Sequence, residues 1–499
     1  MSALSAQLPV LPIITPFIAA ALSLLLPKGR AVWAWATFFS WLTFAASVAI
    51  LVRVAATGGI SYHLGDWPPP IGIEYRIDLA NALVLTLVSG VAALVFPFAY
   101  ESVKSEIDAR QSNFFYAAML ICLTGNLGVA ITGDAFNVFV FLEIASLSTY
   151  ALVAMGARRD RRALTASFNY LVMGTIGATF FVIGLGLLYQ ATGTLNMAHL
   201  HELLAGQDNR VVAAGFAFIL VGMGLKLAMF PMHLWLPNAY AYAPSAVSAF
   251  IAATSTKVAV YVLIRFFYTI FGLDFAFLGN AFAYALLPLG IVGMFAASLV
   301  AVFQEDVKRM LAYSSVGQIG YMLLGLSFGS QQGLAASLVH LLNHGLMKGA
   351  LFMALACVVL RLSDHRCRAF NGLARRMPWT SWAFILSGLS LIGVPGTVGF
   401  VSKWYLLQAS FEAGLPWAGF LIVASSFIAV IYVGRVVELM VLREPPADGP
   451  LAGAVKEAPL SMLIPMWILV AANIYFGLRT AFTAGLAERA AAALMRIGS

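Results

Sequence analysis

Seven ionisable residues lie in apolar stretches long enough to cross a bilayer, and together they could carry a proton. They are Glu143, Lys226, Lys257, His340, His344, Lys348 and Lys403. A charge at the centre of a spanning helix costs about 2.5–3.5 kcal/mol, so such groups normally face the protein interior and mark an ion or proton route. We therefore predict a buried proton relay built from these side chains.

Some charged residues in or near these stretches could instead have a purely structural role. Glu143 lies about two turns into its apolar stretch, and it could form an ion pair that locks two helices together. Pairing and proton transfer are compatible, because a pair that opens and closes can act as the switch. Near the end of a later stretch, Arg435 and Glu438 are three residues apart, and we expect them to pair on a helix surface.

His340, His344 and Lys348 are spaced four residues apart, which places them on one face of a helix. Imidazole both donates and accepts protons near neutral pH, so this stripe suits a proton relay. The alternative is a zinc site, because two histidines one turn apart can bind that ion. The sequence offers no further carboxylate or thiolate ligand beside them, and we expect no metal.

Prolines interrupt two of the stretches that carry lysines. Pro231 follows Lys226 by five residues, and Pro395 precedes Lys403 among several glycines. Proline removes a helix hydrogen bond, so we expect interrupted helices near Pro231 and Pro395. Broken helices in corresponding positions of two halves are typical of inverted repeats around a route at mid-membrane. We assign the repeats of five helices each to residues 113–271 and 281–440.

The composition requires a membrane setting for these residues. Apolar residues make up 61% of the chain and charged residues 10%, spread along nearly the whole length. This pattern predicts an all-α polytopic membrane protein, a single membrane domain over residues 1–499 with about fourteen transmembrane helices. The expected spans are 8–26, 31–53, 79–100, 113–132, 136–156, 164–190, 211–235, 246–271, 281–303, 311–328, 332–360, 380–411, 417–440 and 459–480.

The loop charges predict the orientation. The formal charge of +8 comes mainly from basic residues in short loops, which argues against nucleic-acid binding. With both termini outside, seventeen lysines and arginines fall in inside loops and six in outside segments. The inside set is Lys28, Arg30, Lys104, Arg110, Arg158, Arg159, Arg161, Arg162, Lys308, Arg309, Arg361, Arg366, Arg368, Arg375, Arg376, Arg443 and Lys456; the outside set is Arg53, Arg76, Arg210, Arg479, Arg489 and Arg496. We expect the chain to lie in the cell inner (cytoplasmic) membrane.

The remaining segments are short. The outside loop around Asp66 to Pro70 reads as an ordered turn or hairpin, and 443–459 reads as a linker. Residues 486–497 could form an amphipathic helix that lies on the membrane or on a partner. The sequence contains no phosphate-binding glycine loop and no soluble insertion large enough for a nucleotide or flavin, so we expect no cofactor. The three cysteines form neither a metal-ligand set nor a disulfide framework.

Several motifs resemble the antiporter-like subunits of respiratory complex I and of Mrp-type cation/proton antiporters. They are the segments 136–144, 224–237, 304–315, 340–352 and 393–404. The resemblance covers roughly the third span to the thirteenth. The segments 133–137 and 67–73 are most similar to the D-type subunits of Mrp antiporters, and Lys403 disfavours the complex I type that carries glutamate there.

The resemblance implies a role for each matching residue. Glu143 and Lys226 would be the coupling ion pair, and Lys257 the connecting lysine. His344 and Lys348 would form the central relay and Lys403 the terminal proton-loading group. Asp306, Lys308 and Arg309 match a marker of an inside loop and would be structural.

The resemblance also implies a multisubunit setting. The chain would work with other membrane subunits, in contact with lipid, and would move protons against sodium or another monovalent cation. The alternative is a non-catalytic proton-pumping subunit of an NADH–quinone oxidoreductase or a membrane-bound hydrogenase. A transporter of a small organic substrate is disfavoured, because the sequence shows a charge relay and no set of selective polar groups.

Overall fold

The chain folds almost entirely into helices. The computed structural model describes residues 7–207, 209–445 and 455–497. Its α-helices, in chain order, are α1 Leu11–Ser23, α2 Arg30–Thr57, α3 Leu79–Glu106, α4 Ser112–Ile131, α5 Ala135–Ala154, α6 Arg162–Thr192, α7 Met197–Leu204, α8 Arg210–Lys226, α9 Trp235–Tyr242, α10 Ser245–Ala253, α11 Ser255–Arg265, α12 Ala276–Ala281, α13 Leu287–Val302, α14 Val307–Ser327, α15 Gln331–Leu362, α16 Leu373–Arg376, α17 Pro378–Ile392, α18 Val398–Glu412, α19 Pro416–Val441, α20 Leu460–Leu478 and α21 Thr483–Ile497.

The multi-pass architecture predicted from composition is confirmed. In the described part of the chain, ten helices are long and apolar enough to cross a membrane. The other four expected spans depart from that form. The first is α1, with 13 residues; the seventh and twelfth are broken helices; and the tenth is α14, which is less apolar. The total of fourteen spans therefore stays a prediction.

Both interruptions beside prolines are present. The first separates α8 from α9, and Ala228 within it has a φ of 59°. The indole N–H of Trp235 donates to the carbonyl of Leu225 at 3.0 Å, which satisfies an acceptor freed by the break. The second separates α17 from α18, where Gly393 and Gly396 adopt φ values of 96° and 87° that favour glycine.

A third break was not predicted. The span expected over 246–271 divides at Thr254, whose φ of −123° and ψ of −61° separate α10 from α11. Beyond Arg265 the same span continues as a π-helical stretch, Phe266–Phe271. The break frees the carbonyl of Ala252, which accepts a hydrogen bond from Lys257. No proline or glycine marks this position in the sequence.

Two loop pairings with the same pattern occur, one in each predicted repeat. Ala135 N–H donates to Leu195 O at 2.8 Å, and Met197 N–H donates to Gly133 O at 2.9 Å. In the second half, Val307 N–H donates to His365 O at 2.9 Å and Cys367 N–H donates to Glu305 O at 2.7 Å. We call these pairings the first and second clasps.

Each clasp precedes a helix with an aspartate cap. Asp134 accepts from the Asn137 N–H at 2.7 Å at the start of α5, and Asp306 accepts from the Arg309 N–H at 3.1 Å at the start of α14. The correspondence of clasp, cap and following helix supports the proposal that 113–271 and 281–440 are repeats.

A β-hairpin covers the first clasp. Strands β1 Ile60–His63 and β2 Glu74–Ile77 pair antiparallel, with Ile60 opposite Ile77. They enclose the proline-rich segment, as the sequence indicated. The backbone of Glu74 accepts from Gly133 N–H at 2.8 Å and its carboxylate accepts from the Asn196 side chain at 2.9 Å.

One prediction about the C-terminal segment was wrong. The helix expected over 486–497 forms as α21, but its apolar face packs on this chain's own α15 and α3, with Ala487, Ala491 and Leu494 buried. Its alanine-rich face is small enough to lie close against neighbouring helices, so it needs neither membrane nor partner to bury that face. Most of the expected linker, residues 446–454, lies outside the described residues.

Helix α15 lies at the centre of the second half. It packs against α10, α14, α17, α18, α20 and α21, and its residues from 333 to 359 are nearly all buried. Polar side chains on this helix must therefore find partners inside the protein, and α15 carries three of the relay residues.

Candidate functional site

The predicted pair between Glu143 and Lys226 is formed. Lys226, the last residue of α8, donates from Nζ to Glu143 Oε1 on α5 at 2.7 Å. Its second acceptor is Ser146 Oγ at 2.9 Å. The lysine side chain is 6% exposed and the glutamate side chain 23%, so only the acid borders the surface of this chain. The lysine depends on that acid for its charge balance.

Lys257 is fully buried in the first turn of α11. Its Nζ donates to the Ala252 carbonyl across the break at Thr254, and Thr256 Oγ1 lies 3.4 Å away. No carboxylate forms an ion pair with it among the described residues. A buried cation held only by neutral dipoles pays a large desolvation cost, so its charged form is weakly supported.

His340 and His344 stack along α15. Their ring centroids are 6.0 Å apart and the planes are 8° from parallel. His340 Nδ1 lies 2.9 Å from Ser402 Oγ on α18. His340 Nε2 and both ring nitrogens of His344 have no hydrogen-bond partner among the described residues. A neutral imidazole carries a proton on one ring nitrogen and accepts one at the other, so two such rings in sequence suit a relay.

Lys348 lies one turn beyond His344, on the same buried face. Its Nζ donates to the Leu311 carbonyl at 2.7 Å and to Ser314 Oγ, both on α14. Like Lys257, it is held by neutral oxygens.

Lys403 lies at the far end of the row, in the first turns of α18. The helix break supplies its acceptors: Nζ donates to Ile392 O at 2.8 Å and Leu391 O at 3.2 Å, the last carbonyls of α17. Ser426 Oγ is a third acceptor at 2.9 Å. Nζ also lies 5.1 Å from the centroid of the Tyr321 ring, within cation–π range.

The structure brings the predicted relay residues together in two groups. Glu143 and Lys226 form one. In the other, His340, His344 and Lys348 follow one buried face of α15, Ser402 joins His340 to the helix of Lys403, and α11, which carries Lys257, contacts α15. No hydrogen bond among the described residues joins Lys226 to Lys257. The relay residues are all buried except Glu143, whose side chain is partly exposed.

The sequence prediction missed the neutral groups that hold these charges. Hydroxyls bind each of the cations, through Ser146, Thr256, Ser314 and Ser426, and Ser402 binds His340. Ser146 stands one turn from Glu143 and Ser402 stands beside Lys403, so proximity to a charged residue was the available signal. The backbone carbonyls at the breaks carry no signal in side-chain identity.

The other buried cations have structural partners. Arg265 pairs with Asp78 at 2.5 Å and donates to Tyr261 Oη at 2.7 Å. The expected pair between Arg435 and Glu438 is absent. Arg435 instead donates to the carbonyls of Val302 and Gln304, whereas Glu438 pairs with Arg443 at 2.9 Å. The free carbonyls at the end of α13 attract the arginine more strongly than an exposed carboxylate does.

A polar cavity of about 570 Å³ lies beside the second clasp. Lys308 and Glu106 line it, and Lys308 Nζ donates to Ala243 O at 3.1 Å. Burial alone would raise the pKa of Asp306, but its hydrogen bond to His365 and the charge of that ring outweigh burial and hold the pKa below its usual range. His365 Nδ1 lies 3.0 Å from Asp306 Oδ1. The charges around this cavity stabilise the clasp.

Comparison with protein families gives one match. Residues 132–429, more than half of the chain, match the family described as NADH:quinone oxidoreductase/Mrp antiporter, TM. This range includes all seven predicted relay residues.

Curated relatives span nearly the whole chain. The N subunit of the NADH-quinone oxidoreductase of Desulforudis audaxviator is 40% identical, over 95% of this chain and 96% of its own. The D-type subunit of the Na(+)/H(+) antiporter of Bacillus subtilis is 30% identical, over 97% of each. The sequence is therefore similar to both kinds of subunit along its full length.

The similar solved structures also include both a respiratory complex and an Mrp complex. A chain of the archaeal membrane-bound sulfane sulfur reductase superposes with a TM-score of 0.89 at 30% identity, covering 99% of this chain and 98% of that one. A chain of the Mrp complex from Dietzia sp. DQ12-45-1b gives the same TM-score at 27% identity and the same coverage. Both similarities extend over the complete architecture.

Proposed function

Because this chain belongs to the NADH:quinone oxidoreductase/Mrp antiporter membrane family, we propose that its seven relay residues carry protons between the Glu143–Lys226 pair and Lys403. The chain is a proton-translocating, antiporter-like membrane subunit of an Mrp or complex I-like assembly. The observation that carries the proposal is a salt bridge at one end of a row of buried cations that are held only by neutral oxygens.

The proposed switch begins at the salt bridge. Lys226 has one carboxylate partner, at 2.7 Å, and lies in a desolvated site. When Glu143 moves away, the charged form of Lys226 loses its main stabilisation, and the lysine releases a proton toward Lys257. The neutral acceptors of Lys257 allow it to hold that proton only weakly, which favours onward transfer.

The onward path runs along α15. A proton on Lys257 raises the electrostatic cost of a charge on its neighbours along α15, so transfer at one group affects the next. His340 joins this set to the Lys403 end through Ser402, and Tyr321 lies between the His340 ring and Lys403, with its centroid 5.6 Å from that ring. Waters would bridge the longer gaps between donors and acceptors.

Our first candidate for the coupled process is exchange of protons for sodium or another monovalent cation. A D-type antiporter relative aligns over the whole length, and the terminal group is the lysine that the Mrp resemblance implies. The test uses the assembled native complex in vesicles with an imposed sodium gradient. Proton movement should follow without any reductant.

Two variants test the route itself. Glu143→Gln removes the charge of the pair and Lys403→Ala removes the terminal group, so exchange should fall to background in both. Glu438→Gln, in an exposed ion pair, is the matched control and should keep wild-type exchange. Normal exchange by either relay variant in a fully assembled complex would reject the route.

The second candidate is a proton-pumping subunit of a redox complex. The relative that favours it is the 40% identical N subunit of an NADH-quinone oxidoreductase. In that case protons move in the vesicle assay only when a reductant and a quinone are supplied, and the complex co-purifies with redox subunits. The relay variants should abolish proton movement in either setting, so the two candidates differ in driving force and not in route.

A further inference from the structure

An apolar groove runs along the outer face of α2, α3 and α20, with a volume of about 1020 Å³. Trp33 and Ala55, at opposite ends of α2, both line it. At 1.5 Å per residue this part of the helix is roughly 33 Å long, close to the hydrocarbon thickness of about 30 Å. The groove therefore extends through the depth of a bilayer.

Most polar groups on the walls of the groove are already hydrogen-bonded, although Thr483 Oγ1 has no partner among the described residues. The indole N–H groups of Trp33 and Trp41 donate to carbonyls of α3, at 3.0 Å to Phe96 and 2.8 Å to Ala93. The hydroxyl of Thr86 donates to Ala82 O at 2.8 Å. The indole rings of both tryptophans therefore form apolar walls. Such walls disfavour a polar ligand and favour contact with hydrocarbon chains.

The groove is lined by aliphatic and aromatic side chains along its length, a surface that acyl chains contact well. The Phe44 ring packs against Gly90 on the wall between α2 and α3, where a β-carbon would lie 3.1 Å from the ring.

Positive charge lies at one end of the groove. The face of α3 that lines it continues through Tyr100 to Lys104, and these residues line a second cavity of about 280 Å³ together with Lys28. Trp33 joins the two cavities, because its ring centroid is 5.0 Å from that of Tyr100. Lys28 and Lys104 are exposed, and the exposed carboxylate of Asp108, which accepts from the Arg110 N–H at 2.8 Å, lines the same small cavity, so the two cations outnumber it.

A third cation lies near the same end on the other wall. Lys456 is exposed and stands four residues before Leu460, which lines the groove at the start of α20. A lipid phosphate at the membrane surface would thus lie beside cations at the end of the apolar groove. This combination of cations and apolar surface favours an anionic lipid.

We propose that this groove binds an anionic phospholipid, with its phosphate at Lys28 and Lys104 and its acyl chains along α2, α3 and α20. The floor of the groove includes Leu342 and Leu346 of α15. Each lies two residues beyond a relay histidine and so faces away from the relay. The lipid chains support the back of the helix that carries His340 and His344.

The test measures lipid retained by the purified native complex. In the variant Lys28→Gln/Lys104→Gln, retained phosphatidylglycerol should fall, with binding weakened by about thirtyfold for the pair of cations. Val48→Trp places a large ring in the apolar groove and should also displace the lipid. The matched controls are Arg375→Gln/Arg376→Gln, two exposed cations of the short helix α16, and Ile183→Trp on the exposed face of α6.

A thermal measurement separates this lipid from other occupants. Phosphatidylglycerol added to delipidated wild-type complex should raise the unfolding temperature, and phosphatidylcholine should not. Equal stabilisation by both lipids, or unchanged retention in both groove variants, would overturn the proposal. So would efficient crosslinking of a Trp41→Cys variant to another membrane subunit, which would show a protein occupant. Glu143→Gln should retain the lipid fully, so this result is independent of the transport assay.

Discussion

The hydroxyl of Ser402 touches the imidazole of His340, and the next residue on the same helix is Lys403. This contact is a direct hydrogen bond from a relay histidine on α15 to the helix of the terminal lysine. Ser402→Ala should therefore slow proton translocation several-fold without loss of assembly. Ser410→Ala is the control, since Ser410 is buried on the same helix but donates only to the Leu407 carbonyl, at 2.7 Å.

Rates are measured in vesicles at matched complex content, across a range of pH. A purely structural role for Ser402 would change yield or thermal stability while leaving the rate per complex and its pH profile unchanged. Such a result would contradict the assigned link.

At this scale the sequence revealed the charged residues but not their surroundings. Lysine, glutamate and histidine are rare within apolar stretches, so Glu143, Lys226 and Lys348 stood out. Serine is common within helices, where it can bond to its own backbone, so Ser146 and Ser314 carried little information before their distances to the lysines were known.

The break between α17 and α18 depends on a close approach of backbones. A β-carbon at Gly399 would lie 1.6 Å from the Ser390 carbonyl oxygen. Gly399→Ala should therefore push α18 away from the end of α17, lower stability by about 1–3 kcal/mol and disturb the carbonyls that hold Lys403. Thermal unfolding and the exchange rate of the purified complex measure both effects.

Gly434→Ala provides the comparison, because nothing lies within 4 Å of the added carbon on α19. It should leave the unfolding temperature and the rate close to wild type. If the two glycine variants behave alike, the close approach does not hold the broken helix in place.

The second clasp should be sensitive to acid. The pKa of Asp306 lies below its usual range, so its ionised form stabilises the folded state. That contribution is present above the pKa of the unfolded chain and is lost as pH falls through the lower folded value. Asp306→Asn should reduce the unfolding temperature at neutral pH and flatten its decline in acid, whereas Glu438→Gln should keep the wild-type profile. A steep acid decline retained in the asparagine variant would contradict this.

Helix breaks were predictable only where the residues themselves force them. Pro231 and Pro395 lie in the two interruptions that the sequence indicated. The break at Thr254 has no such residue; the local bond from Lys257 to the Ala252 carbonyl crosses it, and the preceding α10 packs against α15. Packing also decided the position of α21, because the helices it covers are distant in sequence.

For the whole molecule, the loop charges predict that both termini lie outside. A membrane-impermeant thiol reagent on intact cells should label Trp67→Cys, in the hairpin loop, and should label Lys28→Cys only after permeabilisation. The native cysteines are buried or half-buried, and the parent protein measures their background. The reverse labelling pattern would invert the assigned orientation.

The overall architecture was accessible from sequence because hydropathy and charge repeat on the scale of a bilayer. The multi-pass helical fold follows from that periodicity. The arrangement of α15 among the helices that surround it does not, because it depends on contacts between segments far apart in the chain.

The two clasps make the halves comparable residue by residue. When Asp134 is aligned with Asp306, Glu143 falls on Ser315. One end of the molecule thus secures its lysine with an acid, whereas the other secures its lysine with carbonyls and hydroxyls alone. The two ends therefore differ electrostatically. A change of charge in a neighbouring protein can act on the carboxylate that pairs with Lys226, whereas Lys403 has no ion-pair partner of this kind among the described residues.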